Sequence, residues 1–278
     1  CFANGSVARG DLLVGADGLR SSVRAQLAPG AKLLYAGYVG WRGLADENAV
    51  SPAAHSALSD KLAFCLPPRE MMLCYPVAGF TNSTRPGSRC LNFVWYRPAN
   101  KSKELPRLCT DGNGKRYGAS IPPPLIRPEV VEEMRSAADE LLAPQIAEVV
   151  RHARQPFFQP IFDVESPHMA FGRVALLGDA AFVARPHVGM GVTKGAGDAM
   201  ALADCLGGGT SDIAAALERY ESRRLRFNAS VVARGRELGA WLQGSKTPEA
   251  KRHHTPEAVM SEIAVTGGYA RDDDEVTK

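Results

Sequence analysis

Residues 173–206 read RVALLGDAAFVARPHVGMGVTKGAGDAMALADCL, and this stretch decides the fold. It opens with the apolar run Val174–Leu177, which is typical of a buried strand, and the run ends abruptly at Gly178. A turn-rich segment follows, and helical spacing of small and apolar residues begins at Val192. The pattern predicts a strand, a carboxylate (Asp179) at its carboxyl end, and a glycine-containing loop that leads into a helix.

This arrangement suits a ligand that carries hydroxyl groups. An ionised Asp179 can only accept hydrogen bonds, which matches the hydroxyls of a sugar or ribityl chain. Gly189 and Gly191 let a flat ligand approach the backbone, and the N–H groups at a helix start attract anionic or electron-rich atoms. The alternative is that Asp179 and the glycines only complete a turn, and this segment alone leaves that alternative open.

The same residues resemble the second FAD-binding motif of the para-hydroxybenzoate hydroxylase superfamily of flavoproteins. That motif is a strand ending in Gly-Asp-Ala-Ala, then Pro, then Gly-x-Gly, then a helix that carries Asp-Ala. The family usually has His after Ala-Ala, and this chain departs from it with Phe182. The residues that carry the resemblance are Gly178, Asp179, Ala180, Ala181, Pro186, Gly189, Gly191, Asp198 and Ala199.

The resemblance implies how this segment holds FAD. It places Asp179 on the ribityl chain and the Pro186–Gly191 loop beside the isoalloxazine ring. It also implies that the helix beginning near Val192 points at the N1/C2 edge of the flavin, where a helix N-terminus favours the negative charge of the reduced ring. The cofactor-binding residues implied here are Gly178, Asp179, Pro186, Gly189, Gly191 and Val192.

A second strand–turn–helix pattern lies near the start of the chain. Residues 11–14 (DLLV) read as a strand, GADGLRSSVR follows at 15–24, and Ser21 is the predicted N-cap of a helix. Asp17 then lies at the carboxyl end of a strand, where open α/β sheets bind ligands. A plain connection between a strand and a helix fits the same residues.

Asp17-Gly18-x-x-Ser21-x-Val23-Arg24 is similar to the Asp-Gly motif of the same family. In the family this motif lies near the FAD pyrophosphate and contributes to the handling of the nicotinamide cofactor. The resemblance therefore implies cofactor-binding roles for Asp17, Gly18 and Arg20. Because the two motifs occur in the family's order, we expect the turns at Asp17 and Asp179 to converge on one flavin.

The family also begins with a βαβ unit that carries G-x-G-x-x-G, and this fingerprint does not occur in the sequence. Gly189-x-Gly191-x-x-x-Gly195 has a different spacing and follows a loop. By the resemblance, the chain is expected to be N-terminally truncated. A non-catalytic fragment that cannot hold FAD alone is therefore the alternative to an enzyme.

The composition between the two motifs predicts an inserted antiparallel sheet with one helix. The helix is predicted over 129–151 with an interruption near Pro144, and residues 98–124 are predicted to be loop-rich. The predicted strands, two of which form a hairpin, are 33–42, 63–66, 71–75, 90–96 and 157–163.

A sheet of this kind can hold an aromatic substrate on its face. Tyr75 and Trp95 are the substrate-binding candidates in the insert, with core packing as the alternative for both and for Trp41 and Tyr96. The runs YVGWRG (38–43), LNFVWYR (91–97), PFFQPI (156–161) and ARPHV (184–188) resemble the 2,6-dihydroxypyridine 3-hydroxylase branch of the family. That resemblance implies a hydroxypyridine-like substrate.

His187 follows Pro186 directly and is both the catalytic candidate and a third substrate-binding candidate. The unperturbed pKa of a histidine suits it to hydrogen-bond or deprotonate an acidic ring hydroxyl. The alternative is that His187 caps a turn.

Bulk properties exclude several classes of partner. The net charge is +3 without a basic stripe, which excludes nucleic acid, and no apolar run is long enough to predict a membrane span. The six cysteines lack metal-ligand spacing and read as reduced thiols of a cytoplasmic protein. No metal site is predicted, and His253-His254 reads as a solvated pair.

The sequence is therefore predicted to be an α/β protein with an α+β insert. An incomplete Rossmann-like FAD-binding domain holds the insert, and C-terminal helices follow. The predicted segments are 1–30 (remnant of the FAD-binding domain), 31–165 (substrate-binding antiparallel sheet plus helix), 166–210 (return of the FAD-binding domain), 211–245 (C-terminal helix) and 246–278 (flexible tail).

The resemblance implies an FAD-dependent monooxygenase that hydroxylates an aromatic or N-heteroaromatic ring. In the family, NAD(P)H reduces the flavin, O2 adds to give a C4a-hydroperoxide, and its distal oxygen attacks the ring. A homodimer is one assembly that fits. A flavin dehydrogenase or oxidase would share both motifs, and substrate-dependent incorporation of O2 would distinguish them.

Overall fold

The computed structural model describes residues 2–118, 120–207, 212–243 and 255–263. By contacts the chain divides into two compact units. Unit 1 comprises Cys1–Leu34, Phe162–Gly239 and Ser261–Lys278, and unit 2 comprises Tyr35–Ile161 and Ala240–Met260. Among the described helices, none combines the length and the apolar character that crossing a bilayer requires.

The strands are β1 (Leu13–Gly15), β2 (Leu34–Asp46), β3 (Ala63–Cys65), β4 (Met71–Val77), β5 (Cys90–Pro98), β6 (Phe157–Glu165), β7 (Ala170–Phe171), β8 (Val174–Leu176) and β9 (Phe182–Val183). The helices are α1 (Ser22–Leu27), α2 (Pro52–Leu58), α3 (Glu104–Leu108), α4 (Pro128–Leu141), α5 (Pro144–His152), α6 (Gly191–Leu206), α7 (Ile213–Gly239) and α8 (Pro256–Glu262).

Unit 1 contains a small sheet in which β1 and β8 are parallel neighbours. Leu13 pairs with Val174 and Gly15 with Leu176, while β7 pairs antiparallel with β8. Helices α6 and α7 pack on this sheet, and the buried Tyr220 of α7 donates its hydroxyl to the Leu176 carbonyl at 2.8 Å. The parallel pair confirms the α/β character that the two motifs predict.

Unit 2 is built on an antiparallel sheet with the strand order β3-β4-β5-β2-β6. Alternate residues of each strand point to opposite faces. One face carries Trp41, Phe93 and Trp95, and it is covered by α2, α4 and α5 in a single apolar core. The other face carries Arg42, Asn92 and other side chains that lie outside this core.

Most predicted elements are confirmed with small shifts at their ends. The predicted helix over 129–151 is two helices, α4 and α5, because Pro144 opens a new first turn. In the sheet-containing unit 2, two short helices before β6 were not predicted: α2, and α3 inside the stretch 98–124 that was expected to be loop. With seven and five residues, each spans two helical turns or fewer, so the helical periodicity of apolar residues is weak in both.

The C-terminal region differs in part from its prediction. Helix α7 matches the predicted long helix. Residues 246–278 were predicted to be a flexible tail, but part of this segment forms a helix. It includes α8, where the Glu262 carboxylate pairs with Arg234 and Ile263 is 2 % exposed. His253-His254 and the two glycines after Gly207 lie outside the described residues.

Candidate functional site

The two predicted ligand-binding turns lie side by side in unit 1. They follow the neighbouring parallel strands β1 and β8, and the Leu177 N–H donates to the Gly15 carbonyl at 3.1 Å. Arg24, which is 5 % exposed, joins the two turns. Its guanidinium donates to the carbonyls of Leu19 (2.6 Å), Ala180 (2.8 Å) and Asp179 (3.3 Å). The turns therefore share the edge of the sheet at which open α/β folds bind ligands.

The carboxylate of Asp17 supports its own turn. Its Oδ2 accepts from the Ser22 N–H (2.7 Å), the Ser22 hydroxyl (3.0 Å) and the Val23 N–H (3.2 Å), all at the start of α1. Burial alone would raise the pKa of Asp17, but hydrogen bonds from Ser21, Val23 and Ser22 outweigh it and lower the pKa to about 2. These bonds occupy Oδ2, so Asp17 caps the start of α1, and a direct contact of Asp17 with a cofactor stays a prediction.

Other residues of the first turn match the prediction more closely. Ser21 is the N-cap of α1, and its hydroxyl accepts from the Arg24 N–H at 2.9 Å. Gly18 has a φ of +75°, a conformation that favours glycine, and the space beside its Cα is open. Arg20 is exposed beside it. This turn keeps its backbone accessible while Asp17 holds its shape.

Asp179 presents an exposed carboxylate on a single 3-10 turn over Gly178–Ala180. Partial burial raises the pKa of Asp179, and the nearby Lys194 ammonium opposes that shift. Within the described part of the chain, no residue donates a hydrogen bond to this carboxylate, in contrast to Asp17. Asp179 is therefore the carboxylate of the pair that remains available to a ligand.

Asp198 is a buried residue that holds α6 against the Gly178 turn. Its Oδ2 accepts from the Gly178 N–H at 2.9 Å, and its Oδ1 accepts from Arg224 (2.8 Å) and Asn228 (2.9 Å) of α7. Asp198 itself is 0 % exposed. The backbones of Gly178 and Gly195 of α6 also face each other, since an added Cβ at Gly178 would reach the Gly195 Cα at an ordinary contact distance of 3.7 Å. The turn is thus held to α6 by the hydrogen bond from Gly178 to Asp198.

Lys194 is buried at the start of α6, with 1 % of the residue exposed. Its Nζ lies 3.9 Å from Asp198 Oδ2 and makes no hydrogen bond to any described residue. Burial lowers the pKa of Lys194, Asp198 and Asp179 raise it, and Arg224 lowers it. This ammonium interacts electrostatically with both Asp198 and Asp179, so it favours the ionised form of the ligand-facing Asp179.

The loop before α6 leaves the helix N-terminus open. Gly189 has a φ of +65°, and an added Cβ at Gly191 would meet nothing within 4 Å. Met190 is the N-cap, and no side chain among the described residues caps the helix. Val192 in the first turn is 87 % exposed. A ligand edge with partial negative charge can therefore approach the free N–H groups of this turn.

His187 is buried in the turn before this loop, with 1 % exposed. Burial, with a smaller effect from Arg185, lowers the pKa of His187 to about 3. The imidazole is neutral near pH 7, and a base of this strength takes up a proton poorly. The geometry therefore does not support the predicted deprotonation of a ring hydroxyl, and hydrogen bonding by the neutral ring stays a prediction.

The two substrate-binding candidates of unit 2 lie on opposite faces of its sheet. Trp95 pairs with Trp41 and Met72 on the helix-covered face and is 0 % exposed, so the structure does not support substrate contact by Trp95. Tyr75 lies on the other face, opposite Asn92, and is partly exposed. Tyr75 thus remains a candidate.

The site contains residues that the sequence did not single out. Arg24 and Asp198 belong to the two motifs but had no predicted role, and Lys194 belongs to neither motif. The partners that Arg24 and Asp198 contact across the site are distant in sequence, as in the contacts of Arg24 with Ala180 and of Asp198 with Gly178. A charged residue inside an otherwise small and apolar helix face, such as Lys194 in α6, is the one signal that could have identified it.

Sequence comparisons match two FAD-related families. The FAD binding domain family matches residues 122–235, and an FAD binding domain-like family matches residues 35–163. The 2,6-dihydroxypyridine 3-monooxygenase of Paenarthrobacter nicotinovorans is 31 % identical over 242 residues, which are 87 % of this chain and 59 % of that protein. An FAD-dependent urate hydroxylase of Klebsiella pneumoniae is 30 % identical over 239 residues, covering 85 % of this chain and 53 % of that protein.

Solved structures show the same fold. The 2,6-dihydroxypyridine-3-hydroxylase from Arthrobacter nicotinovorans superposes with a TM-score of 0.81 at 31 % identity, over 89 % of this chain and 62 % of that one. A salicylate hydroxylase substrate complex superposes with a TM-score of 0.67 at 24 % identity, over 94 % and 62 %, which supports the fold alone. The chain thus spans between half and two thirds of the length of these proteins.

Proposed function

Since this chain belongs to the family of FAD-binding monooxygenases, we propose that it forms the part of a flavoprotein hydroxylase that holds the flavin end of FAD. One observation carries the proposal. Arg24 joins the turn after β1 to the turn after β8, so that an accessible backbone turn and a free carboxylate, Asp179, lie at the same edge of one sheet. The full protein would transfer oxygen to a small aromatic ring.

The residues present fit FAD. In this proposal Asp179 accepts hydrogen bonds from the ribityl hydroxyls, and the turn at Gly18 and Arg20 lies along the pyrophosphate. The loop of Pro186, Gly189 and Gly191 lies beside the ring system, with the N–H groups near Val192 directed at its pyrimidine edge. When bound, FAD would supply the redox chemistry by accepting a hydride from NAD(P)H and activating O2.

The chain's own residues then have distinct tasks. The N-terminus of α6 stabilises negative charge on a ligand edge. Asp198 holds that helix against the Gly178 turn by accepting a hydrogen bond from the Gly178 N–H. Lys194 favours the ionised form of Asp179, which is the form that accepts hydrogen bonds. His187 serves as a neutral hydrogen-bonding group rather than as a base.

The substrate class proposed is an electron-rich N-heteroaromatic or aromatic ring of the hydroxypyridine type. Support comes from the names of two relatives, which act on dihydroxypyridine and urate, and from the partly exposed Tyr75 in unit 2. Trp95 has no part in this proposal because it is fully buried in the core.

Oxygen transfer under ¹⁸O₂ tests this function. The purified protein is given FAD, NADH or NADPH, and 2,6-dihydroxypyridine, and the product is analysed by mass spectrometry. The proposal expects a hydroxylated product that carries one ¹⁸O atom. Oxidation of the ring without incorporation of ¹⁸O would instead identify a dehydrogenase or an oxidase, and failure to bind FAD would contradict the flavin assignment itself.

Replacing Lys194 by Met is expected to make FAD binding more sensitive to acid. Asp179 binds hydroxyls in its ionised form, so affinity is present above its pKa in the protein and is lost as the pH falls through it. Lys194 lowers that pKa and the other charges nearby, Asp198 and Arg224, remain in the variant. The midpoint of FAD release should therefore move to higher pH in Lys194→Met.

Fluorescence of released FAD, measured between pH 4 and 8, follows this midpoint. Lys194→Arg keeps the positive charge and is expected to behave like the unsubstituted protein. Identical midpoints for Lys194→Met and the unsubstituted protein would show that Lys194 does not act on Asp179.

A further inference from the structure

A buried ion pair of unit 1 lies directly before the loop that leads into α6. The Nε of Arg185 donates to Oδ2 of Asp163 in β6 at 3.0 Å, and both residues are buried. The other oxygen of Asp163 accepts from Arg236 of α7, at 3.1 Å from Nε and 2.7 Å from Nη2. Arg236 also pairs with Glu165 at the end of β6. Asp163 therefore joins β6 both to this loop and to α7.

The pairing of β6 with β9 brings Asp163 to Arg185. The two strands are antiparallel neighbours, and Arg185 lies two residues after β9 ends. Arg185 is the N-cap of the single 3-10 turn Pro186–Val188, and Gly189, with a φ of +65°, continues the chain toward α6. The bond to Asp163 thus holds the first residue of the loop that the proposed function places beside the flavin ring.

Helix α7 also holds the backbone of Arg185. A Cβ added at Gly235 would lie 3.0 Å from the nitrogen and 3.3 Å from the carbonyl oxygen of Arg185, which is closer than an ordinary van der Waals contact. Gly235 precedes Arg236 in sequence, so one turn of α7 contacts both the Arg185 backbone and the carboxylate that binds its side chain. The position of Arg185 is therefore fixed at the backbone and at the side chain.

Stability alone is a weak explanation for this arrangement. The desolvation of a buried carboxylate and a buried guanidinium offsets much of their attraction, and well-packed apolar residues often stabilise a fold equally well. The best-attested role of buried ionic groups is to select one arrangement among several. The segment that follows Arg185 is a short loop with a glycine in a left-handed conformation, which local sequence restricts little.

We propose that Asp163 is a positioning residue for the flavin ring, because through Arg185 it sets where the Pro186–Gly189 loop and the N-terminus of α6 lie. The inference rests on the proposed function for the identity of the ligand. A displacement of about 1 Å between reacting groups can cost about a hundredfold in rate, so the orientation of the ring requires such a support. Asp163 is buried and acts on the ring side of the site, whereas Asp179 acts on the ribityl side.

The variant Asp163→Asn tests the proposal with and without FAD. In the unliganded ¹⁵N-labelled protein, the backbone amide resonances of His187 and Gly189 are expected to shift. In the protein with FAD, the visible absorption and circular dichroism of the bound flavin are expected to change. The dissociation constant of FAD should rise much less than in Asp179→Ala, since the acceptors for the ribityl hydroxyls remain.

The matched control for this variant is Glu165→Gln. It removes the charge of a second partner of Arg236 and leaves the bond between Asp163 and Arg185 in place. Its amide resonances at His187 and Gly189 and its flavin spectra should match those of the unsubstituted protein. Equal shifts in Glu165→Gln and Asp163→Asn would overturn the specific role of Asp163.

The variant Gly235→Ala disturbs the same loop without removing a charge. Its added methyl group would press on the backbone of Arg185, so the amides of His187 and Gly189 and the flavin spectra are again expected to shift. Ser230→Ala, at an exposed position of α7, is the control for a change on that helix. Should Asp163→Asn fail to fold, Gly235→Ala decides the question.

The outcomes separate this inference from the proposed function. Unchanged amide resonances in the folded variants would overturn the positioning role. Amide shifts without a change in the flavin spectra would also overturn it, because they would show a structural effect that does not reach the ring. Failure of the unsubstituted protein to bind FAD would contradict the proposed function, and the inference with it, and is observed before any substitution is made.

Discussion

Asp179→Ala is expected to weaken FAD binding by about tenfold to a hundredfold, because hydrogen bonds to a charged group contribute about 1.5–3 kcal/mol. Asp179 lies where β8 ends, next to β1, and no described residue donates a hydrogen bond to its carboxylate. Its loss removes acceptors that the ribityl hydroxyls would occupy, while the exposed position implies little change in folding stability.

The measurement is the dissociation constant of FAD from quenching of flavin fluorescence. Asp11→Ala, an exposed carboxylate of the same unit, is the matched control and should bind FAD like the unsubstituted protein. Asp179→Asn keeps the shape of the side chain and one acceptor oxygen. Its affinity for FAD should therefore lie between that of Asp179→Ala and that of the unsubstituted protein. An unchanged dissociation constant in Asp179→Ala would refute its role.

Asp198→Ala is expected to lower the free energy of unfolding by about 3–5 kcal/mol, the range for removal of one partner from a buried ionic network. The substitution leaves the Gly178 N–H, the Arg224 guanidinium and the Asn228 amide without their acceptor. It also leaves the buried Lys194 ammonium without the carboxylate that lies 3.9 Å away. Because Gly178 precedes Asp179, FAD affinity should fall as well.

Urea unfolding measures this effect, with Asp204→Ala as the control because Asp204 is an exposed carboxylate on the same helix. The double variant Asp198→Ala/Lys194→Met should be less destabilised than the sum of the two single variants, since it no longer buries an uncompensated cation. Equal stabilities of Asp198→Ala and Asp204→Ala would contradict the network described here.

Local patterns predicted the elements that position the site. The apolar run before Gly178 and the glycines before α6 indicate a strand, a loop and a helix start without reference to the rest of the chain. The sequence alone did not show that Asp17 supports its own turn, although its partners are only five and six residues away, because ligand binding and helix capping use the same kind of acceptor atom.

Contacts between distant residues could not be predicted in this way. The hydrogen bonds of Arg24 to Asp179 and Ala180 depend on the pairing of β1 with β8, which no local pattern encodes. The burial of Trp95 could not be predicted for a related reason. Alternation shows that Trp95 and Tyr96 point to opposite faces, but only tertiary packing decides which face the helices cover.

The central claim is that the turns after β1 and β8 contact one flavin. The most direct test is a titration of the ¹⁵N-labelled protein with FAD, in which the backbone amide resonances of Gly18, Asp179 and Gly191 are followed together. The account predicts that all three shift with a single dissociation constant while Gly112, in an exposed turn of unit 2, does not respond. Shifts at only one of the two turns, or different dissociation constants for the two, would contradict it.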